Sequence, residues 1–73
     1  MSLKSNVKAS LEVVVVNATN LNDASIEMLK TLKEIGEPTE VQTALIHKIE
    51  QSVNGIGEMV TQLMGVINQV DLT

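Results

Sequence analysis

Apolar residues recur along both halves of the chain at alternating spacings of three and four residues. In the first half, eight of nine positions are apolar in the series Val7, Leu11, Val14, Ala18, Leu21, Ser25, Met28, Leu32 and Ile35. In the second half, seven of eight are apolar in the series Leu45, Ile49, Ser52, Ile56, Met59, Leu63, Val66 and Val70. These spacings predict two amphipathic, coiled-coil-like helices.

The segment Gly36-Glu37-Pro38-Thr39 separates the two series. Glycine can adopt the positive φ that commonly ends a helix, and proline cannot continue a helix but can open the next one. Thr39 and Gln42 have the spacing of a capping box. The sequence therefore predicts one all-α domain over residues 1–73, an antiparallel two-helix hairpin with a helix at 5–35, a turn at 36–39 and a helix at 39–70.

Folding the two series together about this turn gives a continuous register, in which Leu32 faces Leu45. Ser25 and Ser52, the polar residue of each series, then fall in the same layer. A buried hydroxyl without a partner costs free energy, so we expect the two serines to bond to each other or to a backbone carbonyl one turn back. They are the predicted buried polar layer, which would fix the register of the hairpin.

Two stretches leave alternatives open. The run of four valines at 13–16 favours a β-strand, so a strand at 11–16, a loop and a shorter helix form the alternative for the first half. In the second half, Gly55 and Gly57 either break the helix or leave room for a neighbouring backbone. The apolar series keeps its phase through both stretches, which favours continuous helices.

A second apolar edge lies one position beyond these series. It consists of Val15 and Leu29 in the first half and Ile46, Val53, Val60 and Ile67 in the second. Two helices enclose no centre, so we expect these six residues to form an oligomer interface that a second hairpin covers. The product would be a four-helix bundle or a larger helical assembly.

Composition disfavours several kinds of partner. The chain has no cysteine and no aromatic residue, so disulfides, thiolate chemistry and stacking on nucleobases are excluded. A net charge of −4 has the wrong sign for nucleic acid or anionic lipid. No apolar run approaches the ~20 residues that span a bilayer. We expect no nucleic acid or membrane partner and a cytoplasmic location, with export without a cleaved signal left open.

No group of residues in the sequence indicates catalysis. His47 is the lone histidine and has no cysteine beside it to share a metal, so we expect it on the surface. The carboxylates occupy polar positions, and neither Ser25 nor Ser52 has a histidine near it in the predicted fold. The sequence thus predicts a protein that is not an enzyme, without catalytic residues, cofactor or metal site.

Two functional hypotheses follow. The first is a structural or assembly protein, a hairpin that homo-oligomerises through its second apolar edge. In layout it resembles the small subunits of bacterial secretion needles, which have two helices joined by a proline-containing turn in a chain of this length. The turn here has one proline instead of the usual pair, and their tyrosine and C-terminal lysine-aspartate pattern are missing. The second hypothesis is a small dimeric adaptor, chaperone or regulator that binds an amphipathic helix of a partner protein.

Overall fold

The structure, a computed structural model that describes residues 3–72, is an antiparallel hairpin of two long helices. Helix α1 spans Leu3–Lys33 and helix α2 spans Glu40–Leu72. The hairpin is elongated, with extents of 55 by 16 by 13 Å. The all-α hairpin expected from the apolar series is confirmed.

Both stretches that left alternatives open are helical. Residues 11–16 belong to α1 without interruption, and residues 54–57 belong to α2. The β preference of valine and the helix cost of glycine are each at most about 1 kcal/mol per residue. Packing of an apolar stripe along a whole helix outweighs such local preferences.

Helix α1 ends in a tightened last turn. The backbone N–H of Glu34 donates to the carbonyl oxygens of both Lys30 and Thr31, at 3.2 Å each. Shared bonds of this kind satisfy carbonyls at a helix end without a left-handed residue. No glycine among residues 3–72 has a positive φ, so Gly36 does not supply the left-handed cap that the sequence suggested.

Helix α2 begins with the predicted capping box. The Thr39 N–H donates to Gln42 Oε1 at 2.7 Å, and the Gln42 N–H donates to Thr39 Oγ1 at 3.2 Å. The two residues thereby satisfy backbone donors that have no partner within the helix. This reciprocal pair fixes where the chain re-enters a helix after the turn.

Each helix turns a double row of residues toward the other, which we term the facing rows. In α1 the half-buried or buried members are Lys8, Leu11, Val15, Ala18, Asn22, Ser25, Leu29 and Leu32. In α2 they are Gln42, Ile46, Ile49, Val53, Ile56, Val60, Leu63, Ile67 and Val70. Among the described residues only Ala18 and Leu29 are classed as buried, so the hairpin encloses very little core.

The facing rows differ at every second position from the two apolar series that were predicted to face each other. In α1, Leu21 was expected to face α2, but it is exposed and Asn22 is half-buried instead. In α2, Ser52 is exposed and Val53 takes its place. The reason in α2 is that its facing rows are aliphatic from Ile46 to Val70, whereas the predicted series included a serine, and burial of aliphatic surface is the more favourable.

Candidate interaction surface

The six residues predicted to form the oligomer interface lie in the facing rows. Leu29 is only 9% exposed. The other five are half-buried, namely Val15, Ile46, Val53, Val60 and Ile67. The hairpin thus already covers much of their surface. The part left exposed is still open to a second molecule, so their role between molecules stays a prediction.

The two serines predicted to form a buried polar layer differ in burial in the structure. Ser25 is half-buried, and its Oγ donates to the carbonyl oxygen of Leu21 at 2.9 Å, one turn back. Ser52 is exposed. The expected layer is therefore not buried, because the rotation of α2 that brings Val53 inward carries Ser52 to the surface.

The polar residue between the helices is instead Asn22, which the sequence analysis did not single out. Its Nδ2 donates to the carbonyl oxygen of Val53 at 3.2 Å. Its Oδ1 is buried and has no hydrogen-bond partner within residues 3–72. A Cβ atom built on Gly57 would lie 4.0 Å from Asn22 Nδ2, so the glycine is beside the amide. Asn22 shares its heptad row with Val15 and Leu29, but the adjacent row of Leu21 is more apolar, so the sequence pattern favoured the leucine.

Ion pairs join the helices along one side of the hairpin. Lys33 Nζ lies 3.1 Å from Glu50 Oε2, and Lys8 Nζ lies 2.6 Å from Asp71 Oδ1. The hydrogen bond from Lys8 to Asp71, aided by the negative charge of that carboxylate, raises the pKa of Lys8 above its usual 10.5. We term this side, which also carries Glu12, the ion-paired side.

The opposite side of the hairpin is apolar. Lys33 and Glu50 each come one position after a facing-row residue, and their ion pair places such positions on the ion-paired side. Residues one position before the facing rows therefore project on the opposite side. In α1 these residues are Val7, Val14, Leu21 and Met28, and in α2 they are Leu45, Ser52, Met59 and Val66, with Ser52 the polar member. We term the seven apolar members the apolar face. Their exposed fractions run from 40 to 58%. A surface of this extent is typical of an interaction site.

The outer borders of the apolar face are almost uncharged. On each helix, the row beside the apolar face and farther from the other helix forms this border. It comprises Ser10, Asn17, Ala24 and Thr31 in α1 and Val41, Lys48, Gly55, Gln62 and Gln69 in α2. Lys48 is the single charged residue among them. The acidic residues of the helices therefore lie on the ion-paired side and the outer surfaces, away from the apolar face.

A smaller apolar patch lies toward the ion-paired side. It is formed by Val16 of α1 and Met64 of α2, which are each 57% exposed. Glu12 and Asn68 line the same shallow groove. These polar groups interrupt the patch, so it offers less continuous apolar surface than the apolar face.

The remaining titratable groups lie in open surroundings. The side chain of His47 is 76% exposed, with Nδ1 3.8 Å from Glu50 Oε1. Within residues 3–72, no three His, Asp or Glu side chains are grouped so as to hold a metal ion. In the same part of the chain, neither helix is both long and apolar enough to cross a membrane.

The fold and the surface together define an elongated antiparallel helical hairpin with apolar side chains exposed along its length. Neither the known protein families, nor the curated proteins, nor the solved structures include a significant match to this chain. The evidence on function is therefore the surface itself, and exposed apolar surface favours association with a protein partner.

Proposed function

We propose that this chain is a non-enzymatic structural or assembly protein that works as a homo-oligomer. The observation that supports this most directly is the imbalance between what the hairpin buries and what it exposes. Only Ala18 and Leu29 are buried among residues 3–72, whereas the seven large side chains of the apolar face are at least 40% exposed.

Simple energetics favour association. Half-exposure of one large aliphatic side chain forgoes roughly 1 kcal/mol, at about 25 cal/mol per Å² of apolar surface. Seven such side chains forgo about 7 kcal/mol together, which is comparable to the total stability of about 5–15 kcal/mol that a domain commonly has. In a chain of 73 residues whose described part, residues 3–72, forms two helices, there are few other ways to gain stability. Association that covers this surface stabilises the folded state by mass action.

The alternative is a small adaptor, chaperone or regulator that binds an amphipathic helix of another protein. The same apolar surface supports it, since a helix can lie along the shallow groove between two others. This alternative predicts a chain that stays small by itself and gains stability only when the partner helix is added.

Sedimentation equilibrium and thermal unfolding of the purified chain, each over a 100-fold range of concentration, test the proposal. We expect a mass at least twice the monomer mass of 7.9 kDa and a thermal midpoint that rises with concentration. Electron microscopy distinguishes a discrete oligomer from filaments. A monomeric mass together with a midpoint independent of concentration would overturn the proposal.

A further inference from the structure

We infer that the oligomer is built on the apolar face, which packs against the same face of a second copy to give a closed, two-fold symmetric pair with four helices. This inference rests on the proposed function and names its interface and its partner. It also differs from the interface predicted from the sequence, which consisted of residues that the hairpin already half-buries.

The first line of evidence is the orientation of α1 about its own axis. Helix α1 turns Asn22 toward α2, while its neighbour Leu21 remains 58% exposed. In an isolated hairpin, a small rotation that exchanged the two would bury a leucine and return an amide to water. The observed rotation is favourable when the row that contains Leu21 is also covered. A second layer of helices on the apolar face provides that cover.

The second line of evidence is the number of apolar rows. A two-stranded coiled coil needs two apolar positions in every seven, and a helix in a bundle uses three. In α2 the rows that contain Met59, Val60 and Leu63 are largely apolar. In α1 so are the rows that contain Val14 and Ala18, whereas the row of Val15 and Leu29 also holds Lys8 and Asn22. Each helix thus has the pattern of a bundle helix, with its third row on the apolar face.

The length and width of the hairpin suit a stable pair. The broad side of the hairpin measures 55 by 16 Å, which corresponds to a footprint of roughly 900 Å². Each partner in a standard specific interface contributes about 800 Å². A single helix laid along the hairpin would cover only part of this width, whereas a second hairpin of the same dimensions covers it all.

Charge favours a second copy over a basic helix. Two copies that each carry a net charge of −4 repel one another unless they meet at a surface without acidic groups. The apolar face has no acidic residue, and its only charged neighbour in the next row is Lys48. A basic amphipathic helix would instead need carboxylates along its binding site. The carboxylates of the helices lie on the other surfaces.

The position of the ion-paired side indicates a closed pair. Lys33, Glu50 and Asp71 lie on the side that points away from the apolar face. When two apolar faces meet about a two-fold axis, each covers the other and the charged sides remain in water. Within residues 3–72, apolar side chains such as Val16, Ile26 and Met64 stay exposed elsewhere, but they form no second apolar face of that length to recruit a third copy.

Leu21 and Val13 offer a matched pair of test positions, because both lie in α1 and both are 58% exposed in the hairpin. Leu21 is in the apolar face and Val13 is not. We expect Leu21→Asp to raise the dissociation constant of the pair by on the order of 100-fold, as burial of an uncompensated charge at an interface does. We expect Val13→Asp to change this dissociation constant by no more than a few-fold. Sedimentation equilibrium measures the constant for both variants.

A second measurement does not depend on a disruptive charge. The native chain has no cysteine, so Leu21→Cys and Val13→Cys each introduce one unique thiol. Each variant is treated with a water-soluble thiol reagent above and below the concentration at which it associates. We expect association to slow the reaction of the thiol in L21C about 10-fold or more, and to leave that in V13C unchanged.

The outcomes separate this inference from the proposed function. A monomeric native chain at all concentrations overturns both. An oligomeric chain in which L21D associates as well as V13D, or in which the L21C thiol is never protected, overturns the assigned face and leaves homo-oligomerisation standing. Filaments, or a mass above that of two copies, overturn the closed pair. A native chain that stays monomeric until a helix from another protein is added supports the adaptor alternative instead.

Discussion

Asn22 and Val53 join the two helices by a side-chain hydrogen bond, in which the amide Nδ2 donates to the Val53 carbonyl oxygen at 3.2 Å. The other half of the same amide, Oδ1, is buried without a partner within the described residues. An unsatisfied buried acceptor costs about 1–3 kcal/mol, whereas a neutral hydrogen bond contributes about 1 kcal/mol. The amide therefore gives the hairpin little net stability. What it supplies is a fixed alignment of α1 against α2, as a polar residue in a coiled-coil seam does.

We predict that Asn22→Leu stabilises the protein by about 1–2 kcal/mol, because it removes the unsatisfied acceptor and adds apolar surface between the helices. Urea unfolding monitored by circular dichroism measures the change at a fixed protein concentration. Asn20→Leu is the control, since Asn20 lies exposed on the same helix. That variant should change stability by less than about 0.5 kcal/mol. Lower stability of N22L than of the native chain would show that the amide has a partner that the hairpin alone does not provide.

The start of α2 gives a second prediction. Thr39 caps this helix through its Oγ1 and through its own N–H, each bonded to Gln42. Thr39→Ala should therefore lower stability by about 1 kcal/mol, as loss of an N-cap does.

The control for this variant is Thr61→Ala. The Thr61 Oγ1 donates to the carbonyl oxygen of Gly57 within α2, where that carbonyl already takes part in the helix. Its loss should cost much less than loss of the cap. If both threonine variants unfold at the same urea concentration, the capping box does not contribute to stability.

The pair Lys8 and Asp71 leads to a prediction about alkaline pH. The hydrogen bond to Asp71 and its charge raise the pKa of Lys8 above 10.5, so the folded state holds this proton more tightly than the unfolded state does. The stabilisation is complete below pH 10.5 and is lost as the pH rises through the folded-state pKa of Lys8. Both side chains are partly exposed, so the effect should be small and should weaken with salt.

The measurement compares the thermal midpoints of the native chain and the Asp71→Asn variant from pH 8 to pH 12. We expect the native chain to have the higher midpoint at pH 8 and the gap to close above pH 10.5. The comparison cancels the titration of the other lysines, which both proteins share. A gap that stays constant over this range would contradict the assigned pair.

The sequence alone was sufficient to predict the hairpin, because the evidence for it is local. The spacing of apolar residues, the turn around Pro38 and the capping box of Thr39 are each visible over a few positions. The continuous helices through the valine run and through Gly55 followed from the unbroken phase of the series. Gly36 was the exception, since a glycine permits a left-handed cap without requiring one.

The rotation of each helix about its axis was harder to predict, because apolar residues occur in three rows of each helix and only two of these rows can face the other helix. In α2 the polar Ser52 within the predicted series was sufficient to indicate that a different row faces α1. In α1 the same reasoning fails, because the helix turns Asn22 inward and leaves Leu21 outside. That choice depends on the Val53 carbonyl oxygen and the space beside Gly57, which the fold brings together and the sequence spacing does not show.

The last prediction concerns Gly65, which lies inside α2 with open space where a Cβ atom would be. Alanine restricts the unfolded chain and favours a helix by about 0.5–1 kcal/mol relative to glycine. Gly65→Ala should therefore raise stability by that amount, and Ala44→Gly, three heptads earlier in the same exposed row, should lower it similarly. Both positions point away from the apolar face, so neither variant should alter the oligomer mass. If Gly65→Ala instead lowers stability or changes that mass, another molecule approaches the backbone at Gly65, and the pair is not closed.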